Sequence, residues 1–161
     1  MVNDNKFQAL VLHIGNSPLV SNLGMTKLWK LIYFIDSEAL RELGDSISGS
    51  DFIKYEHGPV PAKGEKIIQK MQKSEAIEII QEKFSSYRIS RIVARINSSD
   101  DIFSAVEIAL IDKILQKYGQ FTAAYLSELS HREPAWYFAE SLQKLKPDLM
   151  LYGFEEDPEG L

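Results

Sequence analysis

The side chains that most often catalyse reactions or hold metal ions are scarce in this sequence. It contains three histidines, His13, His57 and His131, and no cysteine. The absence of cysteine excludes disulfides, thiolate metal ligands and cysteine nucleophiles. The histidines lie far apart and form no His-Glu-x-x-His motif. We therefore predict no metal site and no cofactor, although histidines that are distant in sequence can meet in a folded chain.

Serine and carboxylate chemistry is not indicated either. Nucleophilic catalysis needs a hydroxyl beside a base and an orienting group, and no Gly-x-Ser-x-Gly elbow or glycine-rich phosphate loop is present. The Gly-Ser-Asp sequence at 49–51 is typical of a turn. Carboxylates next to lysines, as at Glu65 and Lys66, are typical of solvated helix faces. We predict no catalytic residues, and a small hydrolase that uses His57 and His131 is the weakest functional hypothesis.

Composition and charge indicate one ordinary globular domain. The chain has 161 residues, of which 45% are hydrophobic and 25% charged, with a net charge of −5. An acidic balance disfavours a broad nucleic-acid-binding face, because phosphate affinity comes mostly from lysine and arginine. The N-terminus does not resemble a secretory signal, and no apolar run is long enough to cross a membrane. These features predict a cytoplasmic protein.

Apolar periodicity predicts a central helix at 26–43. Leu28, Trp29, Ile32 and Ile35 begin an apolar stripe that is wide enough to be covered on several sides. Gly44 is suited to the left-handed conformation that ends a helix. A first helix is predicted at 5–14, before the Gly-Asn-Ser-Pro break at 15–18.

The next segment combines a strand with a proline-rich corner. A short strand is predicted at 52–55. We expect the sequence Gly58-Pro59-Val60-Pro61 to continue neither strand nor helix, because proline cannot donate a backbone hydrogen bond. A helix is predicted at 62–72. Residues 75–96 fit a β-hairpin that turns at Ser85-Ser86, although Ile89, Ile92, Val93 and Ile96 also fit a helical period.

The C-terminal part is predicted to be helical. Ser104 and Glu107 form a capping box that starts a helix ending at Tyr118. A helix capped by Thr122 follows to 129, and another runs from Pro134 to 145. The predicted fold is therefore α+β: a mainly helical single domain at 1–154, with a short strand and a hairpin around the central helix. The acidic tail at 155–161 is expected to fray.

The helices of 104–145 could also belong to a DNA-binding regulator. Two helices joined at Gly119 imitate the first half of a helix-turn-helix. The helix that would read bases, however, begins with Glu128, His131, Arg132 and Glu133, which is only weakly basic. A packed helical hairpin fits this chemistry better, and DNA binding is retained as the alternative function.

His131 and Trp136 have two interpretations. Tryptophan and tyrosine dominate binding hot spots, so Trp136 and Tyr137 could contact a partner. Large aromatics at helix starts more often pack inward, and His131 could simply end its helix. The inward interpretation is favoured for Trp136, as it is for Trp29, Tyr33 and Phe34.

Five short motifs follow one another along the chain. They are Lys30-Leu31-Ile32-Tyr33-Phe34, Ser48-Gly49-Ser50-Asp51-Phe52, Gly58-Pro59-Val60-Pro61, Phe103-Ser104-x-x-Glu107 and Leu126-Ser127-x-Leu129-Ser130-His131-x-x-x-x-Trp136. Their order resembles the Panacea domain of SocA-like antitoxins over roughly residues 26–145. Ile35 departs from the family pattern, in which a small residue is common. The motif residues Leu31, Tyr33, Phe34, Gly58 and Trp136 are interpreted as scaffold.

The resemblance implies a function that the residues alone do not reveal. Members of this family, found in bacteria and phages, are compact, mainly helical antitoxins that bind an adjacently encoded toxin. At least one acts as an adaptor that delivers its toxin to a AAA+ protease. The resemblance therefore implies an antitoxin whose partners are a cognate protein toxin and a AAA+ protease, without catalytic residues.

The toxin-binding face is predicted near the turn, the proline corner and the start of the last long helix. The candidate residues are Ser48, Gly49, Asp51, His57, Pro59, Val60, Pro61, His131 and Tyr137. Rigid corners lose little entropy on binding, which makes them suitable contact platforms.

Overall fold

A computed structural model describes residues 4–153 of the chain, apart from the side chain of residue 100. The elements are α1 (Asp4–Asn16), α2 (Met25–Leu43), β1 (Phe52–Tyr55), β2 (Gly58–Pro61), α3 (Gly64–Lys73), β3 (Ile77–Phe84), β4 (Tyr87–Ala94), a 3-10 turn (Asp100–Ile102), α4 (Ala105–Tyr118), α5 (Ala123–His131), α6 (Pro134–Tyr137) and α7 (Pro147–Met150). Both hairpins, β1–β2 and β3–β4, are antiparallel. The predicted α+β, mainly helical single domain is confirmed.

The helix α2 is the centre of the molecule. Twelve of its 19 residues are buried, and it packs against α4, α5 and β2. Gly44 ends it with a φ of 79°, and its N–H donates to the carbonyl of Leu40 at 3.2 Å. A helix covered on several sides needs apolar residues around most of its circumference, and the wide stripe predicted this.

The first hairpin corrects the prediction for the proline corner, because Gly58–Pro61 is a strand. In the register, Tyr55 pairs with Gly58 and Ile53 with Val60, while the prolines lie opposite Lys54 and Phe52. An antiparallel ladder uses the N–H of every second residue. The prolines occupy the alternate positions, so their missing N–H groups cost this pairing nothing.

The outer edge of β1 is also paired, by the segment 142–145. Leu142 N–H donates to the carbonyl of Lys54 at 2.9 Å, Lys54 N–H donates to that of Gln143 at 2.9 Å, and Leu145 N–H donates to that of Phe52 at 2.8 Å. The helix predicted from Pro134 to 145 is therefore wrong beyond Tyr137. The chain leaves the helix because extended backbone at 142–145 completes the edge of the first hairpin.

The second hairpin agrees with the predicted strands and turn. Ile77 pairs with Ala94 and Phe84 with Tyr87, on either side of the Ser85-Ser86 turn. The inner strand β4 is attached to the core by Ile92 N–H, which donates to the carbonyl of Leu23 at 2.9 Å. At the tip, the rings of Phe84 and Tyr87 stack with their centroids 5.1 Å apart.

The C-terminal helices begin as their caps predict. The capping box of Ser104 and Glu107 is present in α4, and the Thr122 hydroxyl accepts a hydrogen bond from Tyr125 N–H at 3.1 Å. The one-turn helix α7 was not predicted from the sequence. The tail at 155–161 lies outside the described residues. No helix within the described part of the chain combines the length and apolar character that a membrane span requires.

Candidate functional site

The turn of the first hairpin is held against the core at Gly58. Its φ is 121°, and a Cβ at this position would lie 2.4 Å from both Lys30 Cε and Ser130 Oγ. Few side chains adopt this backbone conformation, and no side chain fits in this space. Glycine is therefore required for the turn to contact α2 and α5.

Lys30 lies directly beneath this turn. Its side chain is 1% exposed, and Nζ donates to the carbonyl of Pro59 at 3.0 Å. Burial lowers the pKa of Lys30 to about 8 because the interior disfavours the ammonium. No carboxylate among the described residues forms an ion pair with it. Lys30 thus fixes the proline corner to the central helix.

Trp136 joins the end of α5 to the first hairpin. Its ring stacks on His131 with a centroid distance of 4.2 Å, and its Nε1–H donates to the carbonyl of Tyr55 at 2.9 Å. Lys54 Nζ lies 4.3 Å from the centroid of the tryptophan ring and donates to the carbonyl of Ala139 at 3.0 Å. The ring is half-buried rather than enclosed, so the inward interpretation holds only in part.

His57 and His131 line a shallow groove of about 360 Å³ together with Thr26, Ser127 and Glu128. Burial holds the pKa of His131 below its ordinary value, and the charges of Lys30 and His57 act in the same direction, while a backbone hydrogen bond to Glu56 opposes them. Nε2 of His131 is buried without a hydrogen-bond partner.

The arrangement around these histidines does not assemble a hydrolase site. Nucleophilic catalysis would require a serine hydroxyl bonded to one of the two rings. Ser130 Oγ instead donates to the carbonyl of Ser127 at 2.7 Å. Within residues 4–153, no group of three His, Asp or Glu side chains is placed to hold a metal ion.

The predicted turn at 48–51 lies at the opposite end of the first hairpin from His57. Ser48 is buried, and its N–H and that of Ile47 each donate to Asp36 Oδ1 at 2.9 Å. Gly49 and Asp51 are exposed, and Asp51 lies 3.1 Å from Lys144 Nζ. Burial raises the pKa of Asp36 to about 6, although the three hydrogen bonds from Ser48 and Ile47 oppose the rise.

The predicted binding residues therefore fall into three groups. His57, His131 and Tyr137 lie with Trp136 around the hairpin turn, and we call these four residues the corner surface. Gly49 and Asp51 lie at the far end. The remaining side chains support the structure or face elsewhere: Ser48, Pro59 and Pro61 are buried, and half-buried Val60 faces a different groove.

Sequence reasoning missed two features near α3. One is a groove of about 710 Å³ between the two hairpins, which we call the hairpin groove; Trp29, Ile53, Val60, Ile68 and Ile79 line it. The other is the lysine face, formed by Lys63, Lys66, Lys70 and Lys73. The spacing of the lysines is a signal that the sequence offered. The groove had no such signal, because its walls are far apart in the chain.

Sequence reasoning also missed a buried carboxylate, Glu133. It is 2% exposed, and the Tyr33 hydroxyl donates to its Oε1 at 3.5 Å. Burial raises the pKa of Glu133 to about 7, although nearby Arg41 opposes the rise. Burial also raises the pKa of Tyr33. Both groups are enclosed by the core, so we assign them to stability rather than to binding.

The helices do not support a DNA-reading site. In a helix-turn-helix the second helix would present polar side chains to base edges. The element after α5 is α6, which is a single turn at Pro134–Tyr137, and its neighbour α5 bears exposed Glu128. This geometry removes the main argument for the alternative function.

Comparison with known proteins gives one family. The model of the family described as antitoxin SocA-like, Panacea domain, matches residues 28–137. The matched region begins in α2 and ends at Tyr137, so it contains both hairpins and the corner surface. Comparisons with curated proteins and with solved structures gave no match.

Proposed function

Since the chain belongs to the SocA-like antitoxin family with a Panacea domain, we propose that it is an antitoxin that neutralises a cognate protein toxin by direct, non-enzymatic binding. The family match over 28–137 is the observation that carries this proposal. The cytoplasm is the proposed location. Delivery of the bound toxin to a AAA+ protease is a further step that we propose for the complex.

The corner surface supports this proposal on physical grounds. Its shape is preorganised by Gly58 and by the hydrogen bond from Trp136 to Tyr55, so little entropy is lost when a partner binds. Tyr137 is 65% exposed beside the half-buried Trp136, and exposed aromatics of this kind often dominate binding energy. We propose that His57, His131 and Tyr137 contact the toxin. Ser48, Pro59 and Pro61 support the surface from within, while Gly49, Asp51 and Val60 contribute where the contact area extends beyond the corner.

Co-expression with the adjacent reading frame tests the function. We expect the chain to restore growth of cells that produce the adjacent protein and to co-purify with it. Failure of both would contradict the proposal.

A pair of tyrosine substitutions tests the surface. Replacing Tyr137 with alanine should weaken toxin binding about tenfold or more, because it removes an exposed aromatic anchor. Tyr152→Ala is the matched control, since Tyr152 is 64% exposed but lies outside the corner surface. Equal effects of the two substitutions would argue against the corner as the contact.

A further inference from the structure

The lysines of α3 are gathered on one side of a chain that is acidic overall. Lys63 precedes the helix, and Lys66, Lys70 and Lys73 follow it at helical spacing. Lys63 Nζ lies 3.7 Å from a carboxylate oxygen of Asp4, whereas the other three lysines form no ion pair within the described part of the chain. Neighbouring like charges on a helix are destabilising, so the arrangement favours a negatively charged partner.

The hairpin groove lies on the other side of the same helix. Ala62 and Gln69 line both this groove of about 710 Å³ and the groove of about 770 Å³ beside the lysines. The hairpin groove has half-buried apolar walls, including Val60 and Ile79. Its volume lies within the range of about 300–1,000 Å³ that is typical of ligand-binding clefts. An apolar cleft and a row of cations therefore adjoin at α3.

We propose that α3 and its two flanking grooves bind an acidic, amphipathic helix of the toxin. Apolar side chains of that helix would fill the hairpin groove, and carboxylates on its flank would pair with Lys66, Lys70 and Lys73. Laying an amphipathic helix into an apolar groove is a common mode of recognition. A helix as long as α3, about 15 Å at 1.5 Å per residue, would span the lysine face. The proposal rests on the proposed function only for the identity of the partner.

Nucleic acid fits this surface less well than an acidic helix. A phosphate backbone would satisfy the lysines but would leave the apolar walls of the hairpin groove exposed to water. Glu65 lies within α3 and lines the groove, and the net charge of −5 repels a polyanion elsewhere on the molecule. The combination of cations with an apolar cleft therefore favours a protein segment.

A peptide assay tests the surface without the toxin. The probes are a helical peptide with leucines on one face and glutamates on both flanks, and a counterpart in which lysines replace the glutamates. We expect the glutamate peptide to bind the full chain at least about tenfold more tightly at low salt, with the difference shrinking at high salt. Equal binding of the two peptides, or binding by neither, would overturn the proposal.

Charge reversal then locates the contact. Lys66→Glu/Lys70→Glu should weaken binding of both the glutamate peptide and the adjacent gene product about tenfold or more. Lys117→Glu/Lys146→Glu, which changes the net charge equally at exposed positions away from α3, should have little effect. Gln69→Glu places one carboxylate between the grooves and should weaken binding severalfold. These residues are exposed, so unchanged melting temperatures are expected for all three variants.

The outcomes separate this proposal from the proposed function. Rescue by the Lys66→Glu/Lys70→Glu variant at the level of the unmodified chain would overturn the α3 site and leave antitoxin activity intact. Binding of the glutamate peptide without any rescue would support the α3 surface and contradict the proposed function. Salt-dependent binding of duplex DNA that needs Lys66 and Lys70, without peptide binding, would assign the surface to nucleic acid and overturn the proposal.

Discussion

Gly58 shows how a single residue determines the shape of the corner surface. Its positive φ turns the chain, and the missing side chain lets the turn approach Lys30 and Ser130 closely. Lys30 then donates to the carbonyl of Pro59. The family motif Gly-Pro-Val-Pro therefore has a physical meaning: glycine allows the approach, and the prolines at alternate positions leave the ladder with β1 intact.

Replacing Gly58 with alanine should lower the free energy of unfolding by about 3 kcal/mol, because the backbone is strained and the new Cβ would displace a buried lysine. Gly44→Ala is the matched control, since Gly44 has a φ of 79° but a Cβ added there would have no atom within 4 Å. It should cost only about 1 kcal/mol. Urea denaturation measures both values, and equal losses would show that close packing at Gly58 is unimportant.

At the scale of elements, the segment 142–145 connects the C-terminal helices to the first hairpin. It pairs with β1 through backbone hydrogen bonds, so the hairpin is flanked on both sides even though β1 and β2 have only four residues each. Short two-stranded hairpins are marginally stable by themselves. The corner surface is therefore rigid because an element distant in the sequence completes its edge.

This segment begins with a strained residue, Leu142, whose φ is 64° and whose side chain is 63% exposed. Leu142→Gly should raise the free energy of unfolding by about 0.5 kcal/mol, because glycine adopts this conformation freely and little burial is lost. Leu142→Ala keeps the strain and should not stabilise the protein. Thermal unfolding of both variants checks this, and stabilisation by alanine alone would contradict the assignment of strain.

At the scale of the whole molecule, buried ionisable groups oppose one another across the pH range. The pKa values of Asp36 and Glu133 are raised to about 6 and about 7. The folded state therefore binds more protons than the unfolded state, and stability falls as pH rises through these values. Burial lowers the pKa values of Lys27 and Lys30 to about 8. Stability therefore rises again above that pH, until the unfolded lysines lose their protons.

We accordingly expect a minimum of stability near neutral pH. The melting temperature should be lower at about pH 7.5 than at about pH 5.5 or about pH 9.5. The lowered pKa of His131 weakens the fall on the acidic side, so variants are compared with the unmodified chain. Glu133→Gln should flatten the acidic side of the profile, and Lys30→Met should flatten the alkaline side. A maximum near neutral pH, unaffected by either substitution, would contradict this account.

Local signals in the sequence determined the central helix, the caps of α4 and α5, the second hairpin and the family motifs. Each depends on residues that are a few positions apart, where backbone propensity and side-chain capping act directly. The apolar stripe of α2 was sufficient because a helix buried on several sides leaves a pattern in its own residues. The exposed or buried state of each candidate binding residue left no comparable pattern.

Only the tertiary structure decided how distant segments meet. The proline corner became a strand because β1 lies beside it, and 142–145 became extended because the outer edge of β1 was open. Trp136 reached the carbonyl of Tyr55 across 81 positions of the chain, which formed the corner surface, and the hairpin groove arose between two hairpins. Such contacts depend on long-range packing, whose free energy is shared among residues that carry no common local signal.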